Sequence, residues 1–540
     1  MRLLERRLIR GIPAATLWLL LLAALARPPA CTGLTNPMPL TEVPYGMTAW
    51  DWQAFIHRHT LDGYASVAAE VDANAVQAFN AFESVEGTSK HPNAVCCDGC
   101  SVVVILLKQK NPVPGDIKFT LTGPSGGFPA TGSLSSEFPA LPAPQTAVAG
   151  ELATVTVPSV PYTVVFYRPP ASYLGASNGS AMPAGGWPSV TIKATSSSGA
   201  VLGTVGLTLR PPPVLLVHGF DSGPGTWDYP PPAGAPSNSG AYPFFQSLDP
   251  QLHAVGVADY SSQNTSGLAT VMPIVLDNLR SLIGTTRDNK IEDTQAGAVC
   301  HSYGGLICKC LAENAQNETV ARPAGFPQFV WSASYHGPGT ADTHYLRDDN
   351  DDLGYLDRVV TLGSPLDGSP IATAIINLLS GVGGNTAYQN WRIVLRALNA
   401  AGNGDALSDL AVGNPVVLAM AARPAVQWRP IVTTMVPLLQ QALDQDVDGI
   451  PIVTDVQQLY GSLLQPLPGL TPSSSDGVVT TFSQTDQNYA SDTSPKVQAT
   501  GLFHTQEPGS QAVWTDAADL LELDNAGTVS GDYTMFKPSF

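Results

Sequence analysis

The chain has 540 residues, long enough for two or more separately cored domains. Hydrophobic residues make up 44% and charged residues 13%, a globular composition, and 50 glycines with 47 prolines favour turns and short strands over long helices. The formal net charge of −18 repels phosphate backbones and argues against a nucleic-acid partner.

Residues 1–26 read as an export signal. Arg2, Arg6, Arg7 and Arg10 precede an apolar run over 14–26, which ends in Ala24-Leu25-Ala26, the small residues that a signal peptidase needs. The run is shorter than the roughly 20 residues that span a bilayer. The expectation is a cleaved leader and a mature protein that is secreted, periplasmic or held at the cell surface. Arg6-Arg7 is an incomplete twin-arginine signature, and Pro28-Pro29-Ala30 before Cys31 is a poor lipid-attachment context. Cys96, Cys97 and Cys100 cluster near His91. They fit a small-loop disulfide, which an oxidising compartment favours, or part of a zinc site.

A β-rich domain is expected over 35–210. Its first part, 41–81, is mixed, with helical turns suggested at 50–57 and 65–79. Short apolar or β-branched runs then follow at 101–107, 117–122, 153–157, 162–167, 189–194 and 201–209, punctuated by Gly, Pro and Ser. Such spacing without a helical period predicts a sandwich-like domain. It would brace the rest of the chain or contact a surface or polymer. Pro211-Pro212-Pro213 forms a stiff boundary.

Over 211–525 strands and helices alternate, the pattern of an α/β protein with a mainly parallel sheet. Strands are expected at 214–217, 253–259, 297–300, 358–362 and 428–434, and helices at 270–283, 305–314 and 513–523. The apolar stretch from 371 to 425 is helix-forming, and reads equally as a lid over an acyl pocket or as a packed cap. Residues 526–540 form a C-terminal tail.

The strongest local signal is Ala298-Val299-Cys300-His301-Ser302-Tyr303-Gly304-Gly305-Leu306. A strand that turns sharply into a helix, with serine at the apex, crowds the positions two before and two after it. Gly304 meets that demand, and Cys300 stands where glycine is usual, putting a thiol beside the serine. The second signal is Val214-Leu215-Leu216-Val217-His218-Gly219-Phe220. Here Gly219 lets the backbone pass close to a reacting centre, and the N–H groups of Phe220 and Tyr303 would serve as an oxyanion hole. His218 is expected to order this loop.

In this order the two motifs resemble the α/β-hydrolase fold, and within it the lipases and esterases. Thr361-Leu362-Gly363-Ser364-Pro365-Leu366-Asp367-Gly368-Ser369 is similar to the segment after the lipases' sixth strand, with Leu366 in place of a histidine. Ser474-Ser475-Asp476-Gly477-Val478-Val479 is similar to their acid loop. The resemblance covers about 211–523. It implies a triad running Ser, acid, His along the chain. Beyond Ser302 lie His336, His344 and His504, of which only His504 follows Asp476 and precedes the last expected helix. The expected triad is therefore Ser302, Asp476 and His504, with Asp367 as the alternative acid. A secreted ester hydrolase acting on an ester or lipid substrate follows, with no cofactor needed for the chemistry. The alternatives are another acyl hydrolase (amidase, peptidase or polyester depolymerase) and a surface-binding protein with an inactive hydrolase fold.

Asp444, Asp446, Asp448 and Asp455, with Gly449 between them, resemble a calcium loop in their spacing. Pro451 interrupts it, Asp455 replaces the usual glutamate, and a solvated acidic turn is the competing reading. The acidic cluster at 348–352 reads as a solvated loop. Asn178, Asn264 and Asn317 begin glycosylation sequons.

Overall fold

The computed structural model describes residues 46–51, 91–123, 132–136, 154–159, 162–171, 188–231, 236, 239–248, 255–314, 354–379, 405–414, 427–434, 476, 478–485, 497–500, 502 and 504–521. The expected export signal, the calcium loop with Asp444, Asp446, Asp448 and Asp455, the acidic cluster at 348–352, His336 and His344 lie outside them.

The first nine strands are β1 (Gly46–Asp51), β2 (Ala94–Cys96), β3 (Val103–Lys108), β4 (Asp116–Thr122), β5 (Ser133–Ser135), β6 (Thr154–Pro158), β7 (Tyr162–Arg168), β8 (Ser189–Ser196) and β9 (Val201–Arg210). One four-stranded sheet runs β1-β3-β7-β5, and a second contains β2-β9-β8-β4-β6. Strands β4 and β8 alternate between buried and more exposed positions, so each turns one side inward. The inward residues of the two sheets meet in one core. Ala49, Val103, Ile105 and Val165 come from the first sheet, and Phe119, Leu121, Ile192 and Leu207 from the second. Two sheets packed face to face make a sandwich. Trp50 lies in β1 and is buried, which corrects the helical turn expected to start there; the rest of that turn lies outside the described residues.

The later elements are β10 (Val214–Val217), α1 (Ala241–Leu248), β11 (Val255–Ala258), α2 (Leu268–Asp288), β12 (Ile291–Glu292), β13 (Ala296–His301), α3 (Tyr303–Asn314), β14 (Leu356–Leu362), α4 (Pro370–Leu379), α5 (Asp405–Asp409), β15 (Gln427–Thr434), α6 (Thr481–Thr485), β16 (Val497–Thr500) and α7 (Gln511–Leu520). Six of these strands form one parallel sheet in the order β11-β10-β13-β14-β15-β16. Its central strands are buried at every position because helices cover both faces. Leu215, Val217, Ala298 and Cys300 face α2 and α3. Their strand neighbours Val214, Leu216 and Val299 face α1 and α7 on the other side.

One pairing crosses the expected division at 210/211. Strand β12, which follows α2, leaves the parallel sheet and adds to the sandwich beside β2. The Cys-Cys-Asp-Gly-Cys loop sits at this seam. The Asp98 carboxylate accepts bonds from the N–H groups of Cys100 (3.0 Å) and Ser101 (2.8 Å) and from the Thr294 hydroxyl (3.1 Å). Cys100 Sγ lies 3.1 Å from Gln295 Oε1, Cys96 Sγ approaches the Pro211 carbonyl at 3.5 Å, and His91 Nδ1 lies 2.8 Å from the Ala49 carbonyl. Of these contacts, Asp98–Thr294 and Cys100–Gln295 join the two halves of the molecule. Among the described residues no disulfide links Cys96, Cys97 and Cys100 to one another, and no metal-ligating group forms around His91 and these cysteines. Among the described residues no helix is long and apolar enough to cross a membrane.

Candidate functional site

The chemistry-bearing residues gather at the carboxyl ends of the parallel strands, where open α/β sheets place their sites. Ser302 is the single residue between β13 and α3. Its φ of 53° lies in the left-handed region, a conformation that costs a non-glycine residue on the order of 1–3 kcal/mol and persists only where surroundings enforce it. Here the Ser302 amide donates to the Leu362 carbonyl at 2.9 Å, and the Gly305 amide donates to the Ser302 carbonyl at 3.1 Å.

The neighbouring glycines are demanded by close approach. A Cβ on Gly304 would lie 2.6 Å from the His218 carbonyl oxygen and 2.7 Å from that of Val217. A Cβ on Gly219 would lie 2.8 Å from Ser302 Cβ. Glycine at 219 therefore brings the loop after β10 against the serine. The first amides of a helix have no acceptor within it, and Tyr303 opens α3, the end at which the helix dipole is positive.

His504 opens a short 3-10 turn after β16. Its Nε2 lies 2.8 Å from Ser302 Oγ and its Nδ1 2.9 Å from Asp476 Oδ2. Asp476 is fully buried. Its Oδ1 accepts from the amides of Val478 (2.8 Å) and Val479 (2.7 Å), and Gln484 Nε2 donates to Oδ2 at 3.2 Å. The His504 amide also donates to the Asp476 carbonyl at 3.0 Å. Four bonds fix the carboxyl plane, and a fifth ties the two loops together. The structure thus brings Ser302, His504 and Asp476 into one hydrogen-bonded chain. Asp367, the alternative acid, lies after β14, where its amide donates to Ser483 Oγ at 3.0 Å; the carboxyl on His504 is that of Asp476.

His218 behaves as a loop organiser. It stacks on Tyr260 with ring centroids 3.9 Å apart, Tyr260 donates its hydroxyl hydrogen bond to the His218 carbonyl, and Ser222 Oγ donates to the Gly219 carbonyl at 2.8 Å. Burial holds the His218 imidazole pKa below its ordinary value.

Three further residues complete the site, and the sequence reading did not single them out. His301 Nε2 donates to the His504 carbonyl at 2.9 Å, and burial, with His504 next, holds its pKa well below the usual range. It is a neutral strut. Glu507, fully buried, takes the Thr433 hydroxyl hydrogen and lies 3.8 Å from His504 Nδ1. Burial, and then the charge of Asp476, push its carboxyl pKa well up. A Cβ on Gly363, whose φ is 52°, would lie 2.3 Å from Glu507 Oε2 and 2.7 Å from Asp476 Oδ2. That glycine makes room for both carboxyls. The third, Asp409, follows from α5: it accepts from the Leu268 amide at 2.7 Å, capping α2, and from the Tyr303 hydroxyl at 3.3 Å. The only sequence trace of Glu507 is its spacing, one helical turn after His504.

Among the described residues His301, His504 and Glu507 are the one group whose ligand atoms lie within 4.8 Å of one another. The bonds of His301 Nε2 and of both His504 nitrogens are already committed as above, so a metal there would have to break the Ser302–His504–Asp476 chain.

No family model matches the sequence, and no curated protein matches it. Among solved structures the chain is similar to the mature form of Bacillus licheniformis lipase BlEst2, at 13% identity over 57% of this chain and 91% of that one, with a TM-score of 0.30. It is also similar to lipase 1 from Pelosinus fermentans, at 16% identity over 57% and 98% of the two chains, with a TM-score of 0.30. Staphylococcus hyicus lipase stands at 13% identity over 58% and 92%, with a TM-score of 0.29.

Proposed function

We propose that the chain is an exported serine hydrolase of the α/β-hydrolase fold, cleaving carboxylic esters of the lipase and esterase class. The observation that carries this reading is the unbroken chain Ser302 Oγ–His504 Nε2 (2.8 Å) and His504 Nδ1–Asp476 Oδ2 (2.9 Å), set on a serine in left-handed conformation.

In this reading Ser302 Oγ attacks the ester carbonyl while its proton passes to His504 Nε2. Asp476 holds His504 with its proton on Nδ1 and stabilises the imidazolium. The amides of Phe220 and Tyr303 receive the oxyanion. His504 then gives its proton to the leaving alcohol, and the acyl group stays on Ser302. Water then attacks the acyl carbon while His504 takes its proton; His504 returns that proton to Ser302 Oγ as the acyl bond breaks, and the acid is released. The chain supplies nucleophile, base, acid and oxyanion donors from its own atoms. Any calcium held by the 444–455 loop is proposed as structural, and helix α4 as part of a lid or cap.

The test is hydrolysis of a p-nitrophenyl ester series from acetyl to palmitoyl by the wild-type chain and Ser302→Ala. The expected loss of kcat is roughly 10,000-fold or more, and the chain-length optimum divides esterase from lipase. Turnover that survives Ser302→Ala would overturn the assignment of the nucleophile.

A further inference from the structure

The bend that carries Ser302 has two arms, and each arm contributes a thiol to the same spot. Cys300 comes from the end of strand β13, two residues before the serine. Cys308 comes from α3, six residues after it. Their sulfurs are 3.3 Å apart, and both side chains are fully buried in the layer between the parallel sheet and helices α2 and α3. A disulfide bond is about 2.05 Å long, so closure asks each sulfur to move by well under an ångström. The other thiols with assigned contacts are turned to different partners: Cys96 to the Pro211 carbonyl, and Cys100 to Thr294 and Gln295.

We propose that Cys300 and Cys308 form a disulfide that ties the strand before Ser302 to the helix after it. The oxidant is a small-molecule or protein disulfide. One cysteine thiolate attacks it, forming a mixed disulfide and expelling one thiolate. The second cysteine thiolate then displaces the other half, forming the Cys300–Cys308 bond. Two electrons pass to the oxidant, which leaves as two thiols that take up, by way of solvent, the two protons the cysteines gave up. Burial, with the neighbouring thiol next, pushes the Cys300 pKa well up in the folded chain. The bond therefore forms while the elbow is still open to solvent, during folding, and is protected from exchange afterwards.

The link would do one thing that packing alone does not. Ser302 is held in a costly backbone conformation by contacts with β10 and β14, which come from distant parts of the chain. A covalent tie across the elbow keeps its arms together even when those contacts loosen. The link is expected to lengthen the survival of activity on heating, with little change in kcat.

The experiment takes full-length protein produced in an oxidising compartment of the host, so that no refolding step intervenes. It is alkylated under denaturing conditions, digested and mapped by mass spectrometry. A peptide pair joined through Cys300 and Cys308 is expected, lighter by two hydrogens than its reduced form. Reduction under denaturing conditions should separate it, and Cys310→Ala should leave it intact. Cys308→Ala should lower Tm by about 5 °C, the amount that closing so short a loop supports in a domain of this size, and leave kcat within about twofold. Recovery of Cys300 and Cys308 as free, alkylated thiols, or linked to other cysteines, would overturn the proposal. Because Ser302-dependent hydrolysis is measured on the same sample, failure of the link is distinguishable from failure of the hydrolase assignment.

Discussion

Phe119 in the sandwich and Val299 in the parallel sheet are equally shielded from water, but they owe it to different surroundings. Strand β8, next to Phe119's strand, alternates between core and solvent sides, whereas β13 and β14 are buried at every position. The sandwich sheet that holds β4, β8 and β9 keeps a wet face and can absorb change there, although β3 of its other sheet is buried throughout. The parallel sheet has no spare face, so its freedom is confined to the strand ends, and the reactive residues collect there. The lesson is that stability and chemistry are separable in the first region and entangled in the second.

The sharpest test of that contrast is Asp476→Asn, which leaves packing intact but lets His504 take the wrong tautomer. The expected loss is roughly 10,000-fold in kcat together with a fall in Tm, because the buried amide nitrogen would then face the Gln484 Nε2 donor; ester turnover and thermal unfolding measure the two. Next, Phe119→Ala should cost the sandwich about 3–5 kcal/mol in denaturant unfolding. The kcat of the protein that remains folded should not change; a parallel fall in kcat would show that the regions are coupled. Gly304→Ala and Gly206→Ala then compare one chemical change in two settings. At 304 the new methyl meets two backbone carbonyls, and about 1–3 kcal/mol should be lost together with activity. At 206, on exposed β9, the nearest atom is 4.0 Å away, and the effect should stay within about 0.5 kcal/mol.

A subtler effect concerns pH. The folded-state pKa of Glu507 is raised, so between the ordinary carboxylate pKa and that raised value the unfolded chain releases a proton that the folded chain keeps. Stability should fall as pH rises through this window. In Glu507→Gln that fall should disappear, and the wild-type and variant Tm curves should diverge on the alkaline side. Parallel curves would mean that Glu507 does not hold its proton.

Much of the parallel region was legible because its signals are dense. Val214–Val217 is wholly apolar and bounded by prolines and a His-Gly, and the serine elbow names itself through its glycines and flanking elements. His504 and Asp476 followed from chain order. What stayed hidden has physical reasons. Strand β12 is two residues, Ile291 and Glu292, too short for any period. Strands β2 and β5 are three residues each, and β16 mixes polar and apolar residues, so their pairing is decided by neighbours far along the chain. Glu507 was hidden because a carboxylate in a loop normally faces water; its burial becomes visible only when Gly363 opens the space beside it. Cys96, Cys97 and Cys100 were read as a cross-link or metal site because spacing alone cannot show that Asp98, between them, binds the segment leading into β13.

The borrowed strand β12 also sets an order of events. A ribosome completes β9 well before it reaches residue 291, and until then the edge at β2 has no partner on its outer side. Residues of β10, β11 and α2 must be made, and α2 must fold back, before that edge is sealed. The sandwich therefore finishes only after the second region has begun, and the two mature as one assembly rather than as beads released in sequence.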